Sequence, residues 1–350
     1  MPYENQNGVT VYYCGECSDT VDGEFDLRYS DYYSEECCET CYERGEEYEA
    51  DERENDEDET EEYVHSYSYR PKPMFFGDDG TSSYYSTFGE NGRSLLYLGM
   101  ELEVEFHGHN KYERHDGAAT LVNGYMDQGN PIYLKTDGSL NYGFEIVSHP
   151  GTLEYFTQHF DWSPIKALSR MGFKSWNNSH CGLHIHMTRH AFTSDKHLAL
   201  FIKFIFDNRQ DLVQYAGRES SYAKFGIENL LNVYYDYDQD RRVRSNKLMD
   251  IVKGYATNSD RYTAVNLQNA NTIELRFFRP SLKPSTVISA LEFCDASFRY
   301  TNSITLQDVL KNNALAFNSF RSWLASSQSP SYPALSERLV ERLGALTADE

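Results

Sequence analysis

The segment Gly99-Met100-Glu101-Leu102-Glu103-Val104-Glu105-Phe106 alternates strictly between apolar and acidic residues. In a β-strand successive side chains point to opposite faces. Glu101, Glu103 and Glu105 therefore share one face, and Leu102, Val104 and Phe106 share the other. Taken alone, this is an amphipathic strand whose acidic face is in water.

Three further segments repeat the design and change that reading. Cys181-Gly182-Leu183-His184-Ile185-His186-Met187 puts both histidines on one face and Leu183, Ile185 and Met187 on the other. A lone strand histidine is usually a satisfied polar residue, but two on one face after a glycine read better as ligands or phosphate contacts. Thr272–Arg279 pairs Glu274 with Arg276 on one face, for which a cross-strand ion pair is the simple alternative. Gly143–Ser148 offers Glu145 opposite Phe144 and Ile146. It follows the turn-like stretch Lys135-Thr136-Asp137-Gly138-Ser139, which could bring Asp137 to the same place. Four such strands predict a concave sheet lined with acids, histidines and arginine. Carboxylates gathered this closely repel one another unless cations lie among them, so bound metal is the simplest resolution.

Along the chain, residues 8–45 form a compact cysteine-bearing unit. Residues 46–93 are acidic, then rich in Tyr, Ser and Gly, and read as a disordered linker. From Leu95, strands are predicted over Leu98–Phe106, Ile132–Thr136, Gly143–Ser148, Cys181–Thr188, Tyr262–Leu267 and Thr272–Phe278. Helices are predicted over Thr152–Gly172 (broken near Trp162-Ser163-Pro164), Ser194–Tyr215 and Pro284–Tyr300. The expected fold is α+β, with an antiparallel or mixed sheet and flanking helices over residues 94–325, and a C-terminal helical tail at 326–350.

The N-terminal unit carries Cys14-Gly15-Glu16-Cys17 and Cys38-Glu39-Thr40-Cys41, two C-x2-C pairs about 20 residues apart. Each pair sets two thiolates on one knuckle, and two knuckles complete a tetrahedral Zn2+ site. Cys37 is spare, or replaces Cys38 if the register shifts. Four cysteine ligands leave no open position, so this zinc is expected to be structural. The pattern resembles a zinc ribbon or treble-clef knuckle, and its acidic composition favours a protein partner over DNA. A formal net charge of −22, about half of it between Glu43 and Glu62, argues against broad nucleic-acid binding. No apolar stretch approaches the roughly 18 residues of a membrane span, and Met1–Asn7 lacks secretory-signal character. A cytoplasmic location is the expectation.

Taken together, Gly99/Glu101/Glu103, Asp137-Gly138-Ser139-Leu140 with Glu145-Ile146-Val147-Ser148, Cys181–His186, and Asn266 with Thr272/Glu274/Arg276 resemble the amidoligase family. That family lies within the glutamine synthetase and glutamate–cysteine ligase superfamily and is frequent in bacteriophages, which would make the location a host cytoplasm. The resemblance covers about 180 residues in order. His149 stands where the family often has the proline that here is Pro150. The resemblance implies a glutamine synthetase-like sheet that holds ATP and Mg2+ (or Mn2+). Glu101, Glu103, Glu145, His184 and Glu274 would be metal ligands, and Arg276 and His186 would serve the transferring phosphate. Arg261, Arg279 and Arg218 would be further contacts to phosphate or substrate. The implied reaction joins a small-molecule or peptide carboxylate to an amine through an acyl phosphate. A metal-dependent hydrolase or phosphotransferase using the same ligands, or a zinc-knuckle interaction protein with a degenerate ligase domain, are the alternatives.

Overall fold

The computed structural model describes residues 3–4, 10–14, 20–21, 27–30, 33, 35–46, 63–86, 94–106, 112–176, 181–225, 262–326 and 328–344. The chain divides into two compact units, Met1–Tyr63 and Val64–Glu350.

In the first unit, β1 (Tyr3–Glu4), β2 (Thr10–Tyr13) and β3 (Thr20–Val21) form an antiparallel sheet. Strands β4 (Leu27–Ser30) and β5 (Glu35–Cys38) pair antiparallel, and helix α1 (39–46) follows directly. Cys14, Cys37 and Cys41 form the buried cluster here, with Tyr33, Cys38 and Tyr42 packed against it.

The second unit is α+β. Its sheet strands are β6 (Val64–His65), β9 (Leu98–Phe106), β10 (Ile132–Lys135), β11 (Gly143–Ser148), β12 (Phe173–Lys174), β13 (Leu183–Thr188), β14 (Val265–Asn266) and β15 (Thr272–Phe278). A small ribbon, β7 (Phe75–Phe76) with β8 (Ser82–Ser83), joins it through isolated bridges at Gly151. The order is β14-β15-β13-β9-β11-β10-β6, with β12 also paired to β9; all pairings are antiparallel except β10 with β6. The helices are α2 (Tyr112–Tyr125), α3 (Ser163–Arg170), α4 (Asp195–Asp207), α5 (Arg209–Ala216), α6 (Pro284–Ser303), α7 (Leu306–Asn312), α8 (Phe317–Leu324) and α9 (Pro333–Leu343).

Register is what gives the sheet two unlike faces. Leu183, Leu102, Ile146, Leu134 and Val64 stand opposite one another across five strands, forming one apolar row. Shifting any strand by one residue would exchange its two faces, so burial of this row fixes the pairing. Helices α2 and α3 cover one part of the sheet, where α2 meets β10 and β11 and Phe173 packs between Phe106 and Phe144. Helix α6 meets β13, and a cluster of Phe204, Phe293, Phe317, Phe320 and Tyr300 joins α4, α6 and α8.

Strands over 98–106, 143–148 and 272–278 match the alternation in the sequence. The expected strand Tyr262–Leu267 shortens to β14, because residues 262–264 instead bond to Lys224: Lys224 N–H donates to Tyr262 O, and Ala264 N–H donates to Lys224 O. The expected linker, 46–93, includes residues that belong to the second unit. There β6 lies alongside β10, and Phe76 exchanges backbone hydrogen bonds with Pro150 and Thr152. Two-residue strands are too short for alternation to reveal them. Residues 333–343 are likewise part of this unit, since α9 packs on α5 and α6. The sequence reading also missed α2, whose buried side is carried by small and scattered residues such as Gly117, Ala118 and Leu121.

Gly143 allows the closest approach of two strands. A Cβ there would lie 2.1 Å from Val104 O, so β9 and β11 could not keep their spacing. Gly143→Ala is expected to cost about 2–4 kcal/mol of stability, measurable by urea denaturation.

Candidate functional site: an acidic cluster on the sheet face

The register that buries the apolar row stacks the polar residues on the opposite face. Glu101 stands opposite His184 on β13, Glu103 opposite Glu145 on β11, and Glu145 opposite Lys135 on β10. Glu274 on β15 stands opposite both His186 and Asn266. Most of this face is not in water. Glu103, Glu145, His184 and Glu274 are buried, Glu145 to 3% exposure.

The side chains converge. His184 Nδ1 lies 3.4 Å from Glu101 Oε2 and 3.5 Å from Glu274 Oε1, and His186 Nε2 lies 3.3 Å from Glu101 Oε1. Three overlapping groups have ligand atoms within 4.8 Å of one another: Glu101/His186/Glu274, Glu101/Glu145/His184 and Glu103/Asp137/Glu145. Asp137 thus reaches the cluster, its Oδ1 accepting from the N–H and hydroxyl of Ser139.

Cationic groups rim the cluster. Arg276 Nη1 pairs with Glu274 Oε1, and Arg276 Nε donates to Tyr222 O. Arg218 is half-buried beside Glu103, with Nη1 within 3.3 Å of Phe278 O and 3.5 Å of Arg276 O. Arg279 is directed elsewhere: it lies past the end of β15 with its guanidinium 5.1 Å from the centre of the Trp176 ring. Arg261 and Cys17 lie outside the described residues.

Three residues complete the site without having been assigned a role from the sequence. Lys135 Nζ donates to Glu145 Oε2 at 3.1 Å and is itself buried. Asn266 Nδ2 donates to Glu274 Oε2 at 2.8 Å, and Thr272 Oγ1 is 3.2 Å from His186 Nδ1. Lys135 occupies an alternate position of β10, so its strand parity was the available signal. Glu105 takes a structural part, its Oε1 accepting from Asn141 N–H at the turn before β11.

Gly182 makes room for this crowding. A Cβ there would stand 2.8 Å from His184 Nε2 and 3.1 Å from Arg218 Nη1. Arg218 is held from behind by the turn that follows α5. Gly217, in the left-handed region at φ 68°, caps α5 through its N–H to Val213 O. Arg338 of α9 donates to Ala216 O, and Gln214 donates to Arg342 O. Glu292 of α6 in turn fixes the start of α9 by accepting from Leu335 N–H at 2.6 Å.

Electrostatics show a cluster short of positive charge. Burial pushes the Glu101 carboxyl up, but the charge and hydrogen bonds of His186 and His184 outweigh it and hold the group well below the usual carboxylate range. Burial and then the nearby Glu101 raise Glu145 to about 7, against the pull of Lys135. Burial also raises Glu103. Burial would lower His186, yet Glu101 and the other carboxylates outweigh it and carry it to about 9. The cluster therefore retains protons near neutrality where a divalent cation could stand, and its oxygen-rich donor set with imidazole suits Mg2+ or Mn2+.

Beside Glu101 and His186 opens a cavity of about 600 Å3, walled by Arg70, Phe75, Tyr97, Tyr133 and Lys135, with Gly99 in its lining. In the first unit, the sulfurs of Cys14, Cys38 and Cys41 lie within 4.8 Å of one another. No helix among the described residues is long and apolar enough to cross a membrane.

The sheet face thus gathers carboxylates and imidazoles, rimmed by arginine and lysine, beside a cavity. A protein family described as "Putative amidoligase enzyme" matches residues 50–298, and the chain belongs to that family. No curated protein matches the sequence.

Two outcomes follow from this geometry. Gly182→Ala is expected to weaken Mn2+ binding by about ten- to a hundredfold, by displacing His184 or Arg218, as electron paramagnetic resonance titration can measure. A cation seated against Glu145 and His186 would displace the protons that their raised values retain. Affinity should then rise with pH from 6 to 8, by about tenfold per unit for each proton displaced. Calorimetry in buffers of different ionisation enthalpy should detect the released protons.

Proposed function

We propose that the second unit is an ATP-dependent carboxylate–amine ligase. In this reaction a substrate carboxylate attacks the γ-phosphorus of ATP to give an acyl phosphate and ADP. An amine then attacks the acyl carbon, phosphate leaves, and an amide forms. The observation that carries the reading is the convergence of Glu101, Glu103, Glu145, His184 and Glu274 on one sheet face in a chain of the amidoligase family.

These five residues would hold Mg2+ or Mn2+, which when bound supplies neutralisation of phosphate charge. Arg276, fixed between Glu274 and Tyr222 O, would present its guanidinium to the transferring phosphoryl group. His186, anchored by Thr272, would contact the same group, and Arg218 would add positive charge from the Glu103 side. Lys135 is a further cation at the cavity wall. Arg261 and Arg279 have weaker claims, Arg279 because its guanidinium lies over Trp176. The mainly antiparallel sheet with its acidic face supports a glutamine synthetase-like catalytic arrangement.

The cavity volume falls in the usual range of about 300–1,000 Å3 for small-molecule sites, and Phe75, Tyr97 and Tyr133 give it aromatic walls. Partial enclosure protects an acyl phosphate from water. We take the substrates to be a small-molecule or peptide carboxylate and amine, and the compartment to be the cytoplasm, where ATP is supplied. The complete acid and histidine set argues against a degenerate domain.

The test is ADP release with Mg2+ across pools of amino acids and short peptides, run beside Glu103→Gln. The ligase reading expects ADP and phosphate only when both a carboxylate and an amine are present, with at least a hundredfold loss in the variant. Equal turnover by both proteins would reject the site. Metal-dependent hydrolysis without ATP would identify a hydrolase instead.

A further inference from the structure

The ligase reading makes no use of the first unit, in which cysteines form a buried cluster among the described residues. Among its described residues the buried apolar positions are Cys14, Cys37 and Cys41. A module of this size commonly draws on a metal or disulfides as well as on its core.

Cys14 follows β2, whereas Cys38 ends β5 and Cys41 lies in the first turn of α1. The fold nevertheless brings all three sulfurs within 4.8 Å of one another. Thiolates at about 2.3 Å from a tetrahedral zinc ion stand roughly 3.8 Å apart, so small movements around an ion would suffice. One disulfide could use only two of the three. Arg44 donates from Nη2 to Cys41 Sγ at 3.1 Å, and the start of α1 adds its positive end, both of which favour thiolate over thiol. Arg44 is itself steadied by Tyr33, to whose hydroxyl its Nε donates.

Adjacent residues of a strand face opposite sides, so Cys37 and Cys38 cannot both turn toward Cys14 in the same way. In β5, Cys37 stands opposite Arg28 and Cys38 opposite Leu27. Cys37 is packed in the buried cluster, but the group of three close sulfurs contains Cys38. The two C-x2-C pairs of the sequence favour Cys38, and the geometry agrees.

We infer that the first unit is a zinc-binding module in which Cys14, Cys38 and Cys41 ligate the ion as thiolates and Cys37 is a packing residue. Soft sulfur donors select zinc over the hard cations suited to the Glu101 cluster. Ligation releases one proton from each cysteine that is still a thiol, and no oxidant is required. Cys17 lies outside the described residues, and the assignment does not rest on it.

The test uses the full-length chain, purified under reducing conditions, with metal content measured by mass spectrometry. Zinc is then exchanged for Co2+. One equivalent of cobalt showing thiolate charge-transfer absorption is expected, a signal that carboxylate and imidazole ligands in the second unit cannot give. Cys14→Ser, Cys38→Ser and Cys41→Ser should each abolish or strongly shift that absorption, and Cys37→Ser should preserve it. The unchanged Cys37→Ser spectrum guards against reading general misfolding as ligand loss. Failure of the reduced wild-type chain to give the absorption, recovery of iron with sulfide, or loss on Cys37→Ser with retention on Cys38→Ser would overturn the assignment. None of these outcomes depends on ligase activity.

Discussion

The pairing of Glu103 with Glu145 across β9 and β11 sets two carboxylates side by side in a buried part of a sheet, an arrangement that opposes itself electrostatically. It persists because the same registers bury Leu102, Ile146, Leu134 and Leu183 on the other face, and no strand can slip without exposing that row. Hydrophobic burial thus holds in place a concentration of negative charge. The surroundings answer that charge piecemeal. Lys135 pairs with Glu145, Asn266 and Arg276 bond to Glu274, and two histidines stand against Glu101. Even so, burial and then Glu101 raise Glu145 to about 7, and the surrounding carboxylates carry His186 to about 9.

Support for the rim comes from far along the chain. Arg218 follows a glycine-capped helix end, which α9 braces through Arg338 and Gln214–Arg342 contacts. Helix α9 is in turn anchored by Glu292 of α6. Residues 333–343 lie beyond the segment matched by the family, 50–298, and brace the Arg218 turn from there.

The two candidate metal sites differ in donor type. Oxygen and imidazole donors on the large sheet suit a hard cation that can be shared with phosphate oxygens. Three close sulfurs in the small unit suit a tightly held soft ion.

Much of the site was legible in the sequence because strand parity is a local property. Alternation over 99–106, 143–148, 183–187 and 272–278 assigned Glu101, Glu103, Glu145, His184, His186 and Glu274 to polar faces before any pairing was known. The resemblance in motif order suggested that those faces belonged together. Parity cannot say which strands are neighbours, nor how deeply a face is covered. That Glu103 meets Glu145, that Lys135 turns in to meet Glu145, and that Arg279 goes to Trp176 while Arg218 comes in all depend on contacts between residues distant in sequence. Two-residue strands such as β6 carry no pattern at all. The C-x2-C spacing had already favoured Cys38 over Cys37, and the group of three close sulfurs contains Cys38. The sequence by itself determined which residues could act, because chemistry and periodicity are written locally; the tertiary structure decided which of them meet, because register and packing are properties of the whole sheet.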